Sequence, residues 1–147
     1  MQKTVRVVPE GYSVVTQSLV VKGADKLLDF VKDAFDGREA GIFKMPDGKI
    51  AHAEVIIGDT RIMLGEESPD APAMPSRAYM YVKDADMSYQ KALNAGAISL
   101  REPKDQFYGD RTATVKDPTG NVWTLATHKE DLSQEEQMKR MMAQPSM

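Results

Sequence analysis

Two side chains that could exchange a proton lie two positions apart in an apolar, β-branched segment. His52 and Glu54 belong to the stretch 49–57, KIAHAEVII. On a strand, residues two apart share a face, with their side-chain bases about 6–7 Å apart. A carboxylate near an imidazole raises its pKa and fixes its tautomer, as a general base requires. The pair is therefore a candidate catalytic site; the alternative is that His52 hydrogen-bonds Glu54 or the backbone and only completes the sheet.

A second candidate site lies in the segment 107–111, FYGDR. Binding residues often lie on a loop that enters a strand. Tyr108 could stack on a planar ligand, and Arg111 could hold a carboxylate or phosphate through two hydrogen bonds. The alternative is that Arg111 pairs with Asp110 or Asp117 and only orders the loop.

Two further polar segments are assigned no chemistry. His128 follows the last predicted strand and is surrounded by charged residues, which predicts an exposed terminus. The residues 117–120, DPTG, are typical of a turn.

Composition limits the classes of partner. The net charge of −3 gives no broad basic surface, so nucleic acid is not an expected partner. No apolar run approaches the roughly 20 residues of a membrane helix, and the first residues lack the apolar core of a secretory signal. The chain has no cysteine, which excludes thiol chemistry and suits a reducing compartment. We therefore expect a cytoplasmic protein without a membrane partner.

The chain contains an internal repeat. Residues 21–25, VKGAD, match residues 82–86, VKDAD, at an offset of 61. At the same offset, 62–64 corresponds to 123–125. Two separated matches at one offset indicate a duplicated unit whose copies complete a core together.

Each copy contains the same predicted order of elements. The first has strands at 13–21, 40–45, 49–57 and 60–66, with a helix from Ala24 to Phe35 after the first strand. The second has strands at 78–82, 97–102, 111–117 and 121–127, with a helix capped by Asp84 after the first. We expect one domain: module 1 at about 12–67, a proline-containing linker at 67–76, module 2 at about 76–128 and a helix at about 133–143, capped by Ser133.

The order of one strand, one helix and three strands, present twice, resembles the architecture of the glyoxalase/bleomycin-resistance/dioxygenase superfamily, the vicinal oxygen chelate proteins. The segment 117–125, DPTGNVWTL, is similar to the family ending D-P-x-G-x-x-x-x-[LIV]. The segments 47–64 and 105–111 resemble a bacterial glyoxalase-like subgroup related to phosphonate-operon proteins. The resemblance implies an α+β fold in which two tandem βαβββ modules form an open cupped barrel around the ligand, with an additional C-terminal helix here.

Strand alternation sorts the candidate residues by face. Ala53 and Val55 suit the helix side, so His52 and Glu54 should point into the cup. The same reasoning directs further side chains inward. With the loop candidates, the predicted ligand-binding residues are Thr16, Tyr79, Tyr81, Tyr108, Arg111 and Thr124.

The resemblance implies a divalent metal in catalytic members, held by His and Glu from the first and last strands of each copy. The corresponding positions here are Thr16, Met63, Arg77 or Ala78, and Thr124. Hydroxyls, a thioether and a guanidinium do not match imidazole and carboxylate as donors. We therefore predict no cofactor at that position, while a divalent metal on a different ligand set stays open.

Two functions of different class follow. The first is a binding protein that holds a small molecule in the cup without chemistry, as the bleomycin-resistance resemblance implies. The second is a lyase, isomerase or dioxygenase-like enzyme that uses His52 and Glu54, with or without a metal. We also expect a homodimer, because the resemblance implies clefts closed by a second copy.

Overall fold

The fold is α+β and consists of two βαβββ modules followed by a C-terminal helix, as predicted. The computed structural model describes residues 4–145, which divide after Pro75 into two compact units. Each unit contains one four-stranded sheet. Within residues 4–145, no helix has both the length and the apolarity needed to span a bilayer.

The first module contains one helix and four strands. They are β1 (Ser18–Val21), α1 (Ala24–Phe35), β2 (Arg38–Lys44), β3 (Ile50–Ile57) and β4 (Thr60–Glu66). The strand order is β1-β4-β3-β2, with β1 parallel to β4 and the other pairs antiparallel.

The first strand is shorter than predicted. It was expected over 13–21 but begins at Ser18, because β4 pairs with residues 18–21 only. Val14 and Val15 are 88% and 83% exposed. Their β-branched side chains favour a strand, but that preference needs a neighbouring strand and a buried face to act.

The first module buries one face of its sheet under α1. The apolar residues of α1 recur at helical spacing and meet the alternate residues of β3 and β4. The residues of α1 and of the sheet with at most 5% exposure are Leu19, Val21, Ala24, Leu27, Leu28, Phe30, Val31, Ala34, Ala53, Val55, Ile62 and Leu64.

A carboxylate from β4 caps the start of α1. Gly23 precedes the helix with φ of 100°, a backbone conformation that glycine adopts readily. The backbone N–H groups of Gly23 and Ala24 donate to Glu66 at 2.9–3.2 Å. Glu66 therefore satisfies N–H groups that a helix start leaves without partners.

The second module repeats this order. It comprises β5 (Arg77–Tyr81), α2 (Ala85–Asn94), β6 (Ile98–Asp105), β7 (Asp110–Lys116) and β8 (Val122–His128). The strand order β5-β8-β7-β6 matches that of the first module. Asp84 caps α2 as predicted, since its side chain accepts a hydrogen bond from Met87 N at 3.1 Å.

The predicted turn at 117–120 also anchors the core. Asp117 accepts backbone hydrogen bonds from Thr119 and Asn121. Its second oxygen accepts the indole N–H of Trp123 at 2.7 Å, and Trp123 is 4% exposed. One buried carboxylate thus shapes the turn and satisfies the only polar atom of the largest core side chain.

The repeat offset changes within the chain. In the third strand of each module, Ala53 opposes Leu64 and Ala113 opposes Leu125, so the third strands correspond at an offset of 60. The first and last strands keep the offset of 61, because the turn after β7 is one residue longer between equivalent positions: two residues separate Ile57 from Thr60, and three separate Asp117 from Asn121. His52 therefore corresponds to Thr112.

The C-terminal segment returns to the start of β7. Lys129 and Glu130 donate backbone hydrogen bonds to the carbonyl of Gly109. The helix α3 (Gln134–Met142) begins with the predicted cap, in which Ser133 accepts from Glu136 N at 3.1 Å. Among the described residues α3 buries none, and its three methionines, Met138, Met141 and Met142, are exposed.

Candidate functional site

The second module has one polar and aromatic sheet face. Tyr79 and Tyr81 of β5 pair with Thr124 and Ala126 of β8, which places them on one face. His128 continues that face at the end of β8, opposite Asp110 of β7. We call the side chains that meet there the tyrosine surface: Tyr79, Tyr81, Tyr108, Asp110 and His128.

Asp110 is the centre of the tyrosine surface and is only 4% exposed. One of its oxygens accepts the hydroxyls of Tyr79 at 2.6 Å and Tyr81 at 3.2 Å. Its other oxygen lies 2.7 Å from His128 Nδ1. The second ring nitrogen of His128 lies 2.7 Å from Asp131, and Tyr108 reaches the Tyr79 hydroxyl at 3.2 Å.

These contacts shift the pKa values of Asp110, His128 and Tyr79. Burial alone would raise the pKa of Asp110, but the hydrogen bonds from Tyr79, His128 and Tyr81 outweigh it, and the pKa lies below its ordinary value. Hydrogen bonds to Asp110 and Asp131 raise the pKa of His128. Burial and the bond to Asp110 raise the pKa of Tyr79 far above that of a free phenol. The contacts therefore favour the ionised carboxylate of Asp110, the protonated imidazole of His128 and the neutral phenol of Tyr79.

The aromatic rings of this surface are fixed but accessible. Tyr79 and Tyr81 have ring centroids 5.5 Å apart at an interplanar angle of 66°. They are 46% and 64% exposed, although both hydroxyls are bound to Asp110. Tyr108 packs its ring edge-to-face with Phe107 at 5.1 Å.

Arg111 lies on the opposite face of the same sheet. Because side chains alternate along β7, Arg111 points to the helix side when Asp110 points to the tyrosines. It donates two hydrogen bonds to Asp86, at 2.7 and 3.0 Å, and a third to Asp105 at 3.1 Å. The expectation that Arg111 shares a surface with Tyr79 is not met. The alternative, an ion pair that orders the loop, named the wrong partners for Arg111, because they are Asp86 and Asp105 rather than Asp110 or Asp117.

His52 and Glu54 share a face of the first module, as predicted. Ala53 and Val55 are fully buried on the helix side, so the alternate residues lie on the other face. His52 Nε2 is 3.6 Å from Glu54 Oε2. The other Glu54 oxygen is 3.5 Å from the Arg61 guanidinium. The carboxylate is therefore shared between an imidazole and a guanidinium.

The Arg61 side chain is covered by the segment that precedes β1. The guanidinium carbon of Arg61 lies 4.7 Å from the centre of the Tyr12 ring, a cation–π arrangement. The predicted ligand residue Thr16 lies in the same segment and is half-buried. The first module thus brings His52 and Glu54 together, while the predicted tyrosines belong to the second.

The positions that the family uses for its metal do not fit a divalent ion here. Thr16 and Met63 belong to the first module, and Arg77, Ala78 and Thr124 to the second; none offers an imidazole or carboxylate. The Thr124 hydroxyl lies 3.2 Å from that of Thr114. Over the described range 4–145, no three His, Asp or Glu side chains converge on a point that could hold a metal.

Two residues of the tyrosine surface were not predicted as site residues. His128 was interpreted as an exposed terminus because β8 was expected to end at 127. Extending the strand by one residue places His128 on the face of Thr124, which the sequence had already directed inward. Asp110 was considered only as a partner of its neighbour Arg111.

Comparison with known proteins establishes the class. The family model described as "Glyoxalase/Bleomycin resistance protein/Dioxygenase superfamily" matches residues 13–125. The chain belongs to this superfamily. An uncharacterized protein of Mycobacterium bovis is 34% identical over 137 residues, which cover 86% of this chain and 90% of that protein.

Solved structures share the fold at lower identity. TioX from Micromonospora sp. ML1 is 22% identical, with a TM-score of 0.67, and the match covers 79% of this chain and 98% of that chain. TnmS3 from Streptomyces sp. CB03234, described as an antibiotic binding protein, is 22% identical, with a TM-score of 0.61 and coverage of 80% and 98%.

Proposed function

We propose that this protein binds a small planar or amphipathic molecule on the tyrosine surface of its second module. The observation that carries the proposal is the pair Tyr79 and Tyr81, two exposed rings whose hydroxyls are held by one buried carboxylate. Exposed aromatic clusters of this kind mark binding sites more often than isolated apolar residues do.

Fixing the rings before binding favours affinity. A mobile aromatic side chain loses rotamer freedom when a ligand orders it, at a cost of roughly 0.5–1.5 kcal/mol per side chain. Tyr79 is already restrained by Asp110 and Tyr108, so less freedom remains to be lost. The family description names bleomycin resistance, and TnmS3 is described as antibiotic binding; both agree with a ligand-holding role.

Calorimetric titration tests this proposal. The probes are bleomycin, which the family description names, and acridine, a plain planar molecule. We expect saturable binding of at least one probe, weakened about tenfold or more in Tyr81→Leu, because the ring supplies the contact area. The matched control is Tyr89→Leu on α2, whose hydroxyl contacts Ser99 away from this surface; it should bind within roughly twofold of the unmodified protein. If neither these probes nor a charged acridine binds, or if Tyr81→Leu and Tyr89→Leu behave alike, the proposal is wrong.

An enzymatic role for His52 and Glu54 is the second candidate. Its support is the 3.6 Å approach of His52 Nε2 to Glu54 on the polar face of the first module. In that case the protein is a lyase, isomerase or dioxygenase-like enzyme, and the pair supplies acid–base chemistry or part of a non-standard metal site.

Metal analysis of protein purified without chelators tests this second candidate. Stoichiometric metal that is lost in Glu54→Gln but retained in the control Glu67→Gln would favour the enzyme. Metal-free protein whose probe binding is unaffected by Glu54→Gln would favour the binding protein.

A further inference from the structure

The hydroxyl protons of the three surface tyrosines are already used inside the protein. An ionised carboxylate can only accept hydrogen bonds, so Tyr79 and Tyr81 must donate to Asp110. Because the Tyr79 proton points to Asp110, the 3.2 Å contact with Tyr108 requires Tyr108 to donate. The imidazole is engaged in the same way, with one nitrogen on Asp110 and the other on Asp131.

What these phenols offer a ligand is therefore lone pairs and ring faces. The oxygens of Tyr81 and Tyr108 each retain acceptor capacity after donating, and the Tyr81 ring is 64% exposed. A ligand carbonyl or carboxylate would meet no free phenol proton there. A ligand N–H group would find acceptors, so hydrogen bonding favours a donor-bearing molecule.

The charges around Asp110 and His128 also favour a cationic ligand. The carboxylates of Asp110 and Asp131 flank His128, whose imidazole carries at most one positive charge, so the network keeps at least one net negative charge. Arg111, adjacent to Asp110 in sequence, is held on the other face by Asp86 and Asp105 and does not offset that charge. The negative face of an aromatic ring also attracts cations, more strongly when the site is partly desolvated.

We propose that the tyrosine surface selects planar cations that carry hydrogen-bond donors, such as protonated aromatic amines, over neutral or anionic molecules of the same shape. This inference rests on the proposed function and adds the charge and the hydrogen-bond polarity of its ligand.

Three acridines with one ring system and different charges test the inference. At pH 7.5 the probes are 9-aminoacridine, which is a cation, acridine, which is neutral, and acridine-9-carboxylate, which is an anion. We expect the cation to bind about tenfold or more tightly than acridine, and the anion to bind most weakly.

Two variants of Tyr81 separate the contribution of its aromatic ring from that of its hydroxyl oxygen. Tyr81→Phe keeps the aromatic face but removes the acceptor, so it should reduce the preference for 9-aminoacridine while acridine binding changes little. Tyr81→Leu should weaken both probes. The control Tyr89→Phe, on α2, should change neither affinity nor preference.

The outcomes distinguish a failure of the charge preference from a failure of the proposed binding function. Equal affinities for the three probes, or a preference for the carboxylate, with binding still lost in Tyr81→Leu, would overturn the charge preference and leave the binding site in place. If none of the acridines binds and bleomycin does not bind either, both proposals are wrong. If only bleomycin binds, the preference for planar cations is wrong.

Discussion

Asp110 and His128 face each other across the β7–β8 ladder, and His128 Nδ1 lies 2.7 Å from a carboxylate oxygen of Asp110. Asp110 is 4% exposed, whereas half of the His128 side chain is open to solvent. The pair thus connects a buried carboxylate with the surface, and it holds the segment after β8 through Asp131.

Replacing the central carboxylate should destabilise the second module. In Asp110→Asn, an N–H₂ group replaces one of the two carboxylate oxygens, so either His128 or the pair of phenols loses its acceptor. Leaving buried donors without partners costs about 1–3 kcal/mol, and we expect a loss in that range in urea-induced unfolding. The control Asp70→Asn, in the exposed linker, should change the free energy of unfolding by less than about 0.5 kcal/mol. Equal stability of the two variants would contradict this account.

The phenol of Tyr79 should resist ionisation. Burial and the bond to Asp110 raise its pKa far above the usual value near 10. In an absorbance titration at 295 nm, the unmodified protein and Tyr79→Phe should therefore superimpose up to about pH 11. Asp110→Asn should show additional phenolate below that pH. A smaller signal in Tyr79→Phe than in the unmodified protein would show that Tyr79 titrates as an ordinary phenol.

The contribution of His128 to stability should depend on pH. Its pKa is raised in the folded protein, so its stabilising effect is complete below the ordinary value near 6.5 and is lost as the pH rises through the folded value. The difference in unfolding free energy between the unmodified protein and His128→Gln should therefore shrink from pH 6 to pH 9. In an Asp110→Asn background, this pH dependence should weaken, because the main cause of the shift is gone. A difference that grows with pH would refute the assignment.

Removing the charge of Glu66 should loosen the start of α1. Glu66 accepts from Gly23 N and Ala24 N, and losing a helix cap costs about 1 kcal/mol. We expect Glu66→Ala to lower the unfolding free energy by about that amount. It should also accelerate hydrogen exchange of the amides of Gly23 and Ala24. The neighbouring exposed residue provides the control, and Glu67→Ala should leave both measurements unchanged. Equal exchange rates in the two variants would exclude the capping role.

The homodimer stays a prediction. Met138, Met141 and Met142 of α3 are 50%, 39% and 77% exposed, and a second copy could cover them. Light scattering at micromolar concentration should give twice the chain mass of 16.3 kDa. Met142→Lys should shift the equilibrium toward the monomer more than Glu135→Lys on the same helix. A monomer mass for the unmodified protein would refute the prediction.

The sequence predicted the modules and the sheet faces well because a repeated segment marks the modules and local alternation marks the faces. The repeat at 21–25 and 82–86 indicated the duplicated order of elements, and alternation placed Ala53 and Val55 under α1. The same alternation placed Tyr79 and Tyr81 on one face. These features depend on residues close in the chain, where a strand or helix has a fixed period.

The partners of the charged side chains could not be predicted in the same way. Arg111 pairs with Asp86, 25 residues away, because the packing of α2 brings that carboxylate to the helix side of β7. His128 contacts Asp110 because the register of β7 and β8 places the two residues opposite each other. The strand predicted over residues 13–17 does not form for a similar reason, because the β1–β4 pairing covers residues 18–21. Each of these outcomes depends on tertiary neighbours that the local pattern does not contain.

The extra residue in the turn after β7 has a consequence for protein engineering. Anyone who transplants His52 and Glu54 into the second module by the repeat offset of 61 would alter Ala113 and Val115, which are fully buried. Such a graft would place an imidazole and a carboxylate in the apolar core. Because the third strands correspond at 60, the recipient positions are Thr112 and Thr114. Thr112 and Thr114 lie on the polar face of the sheet and are 7% and 8% exposed, so counting from the wrong strand would move the graft from that face into the apolar core.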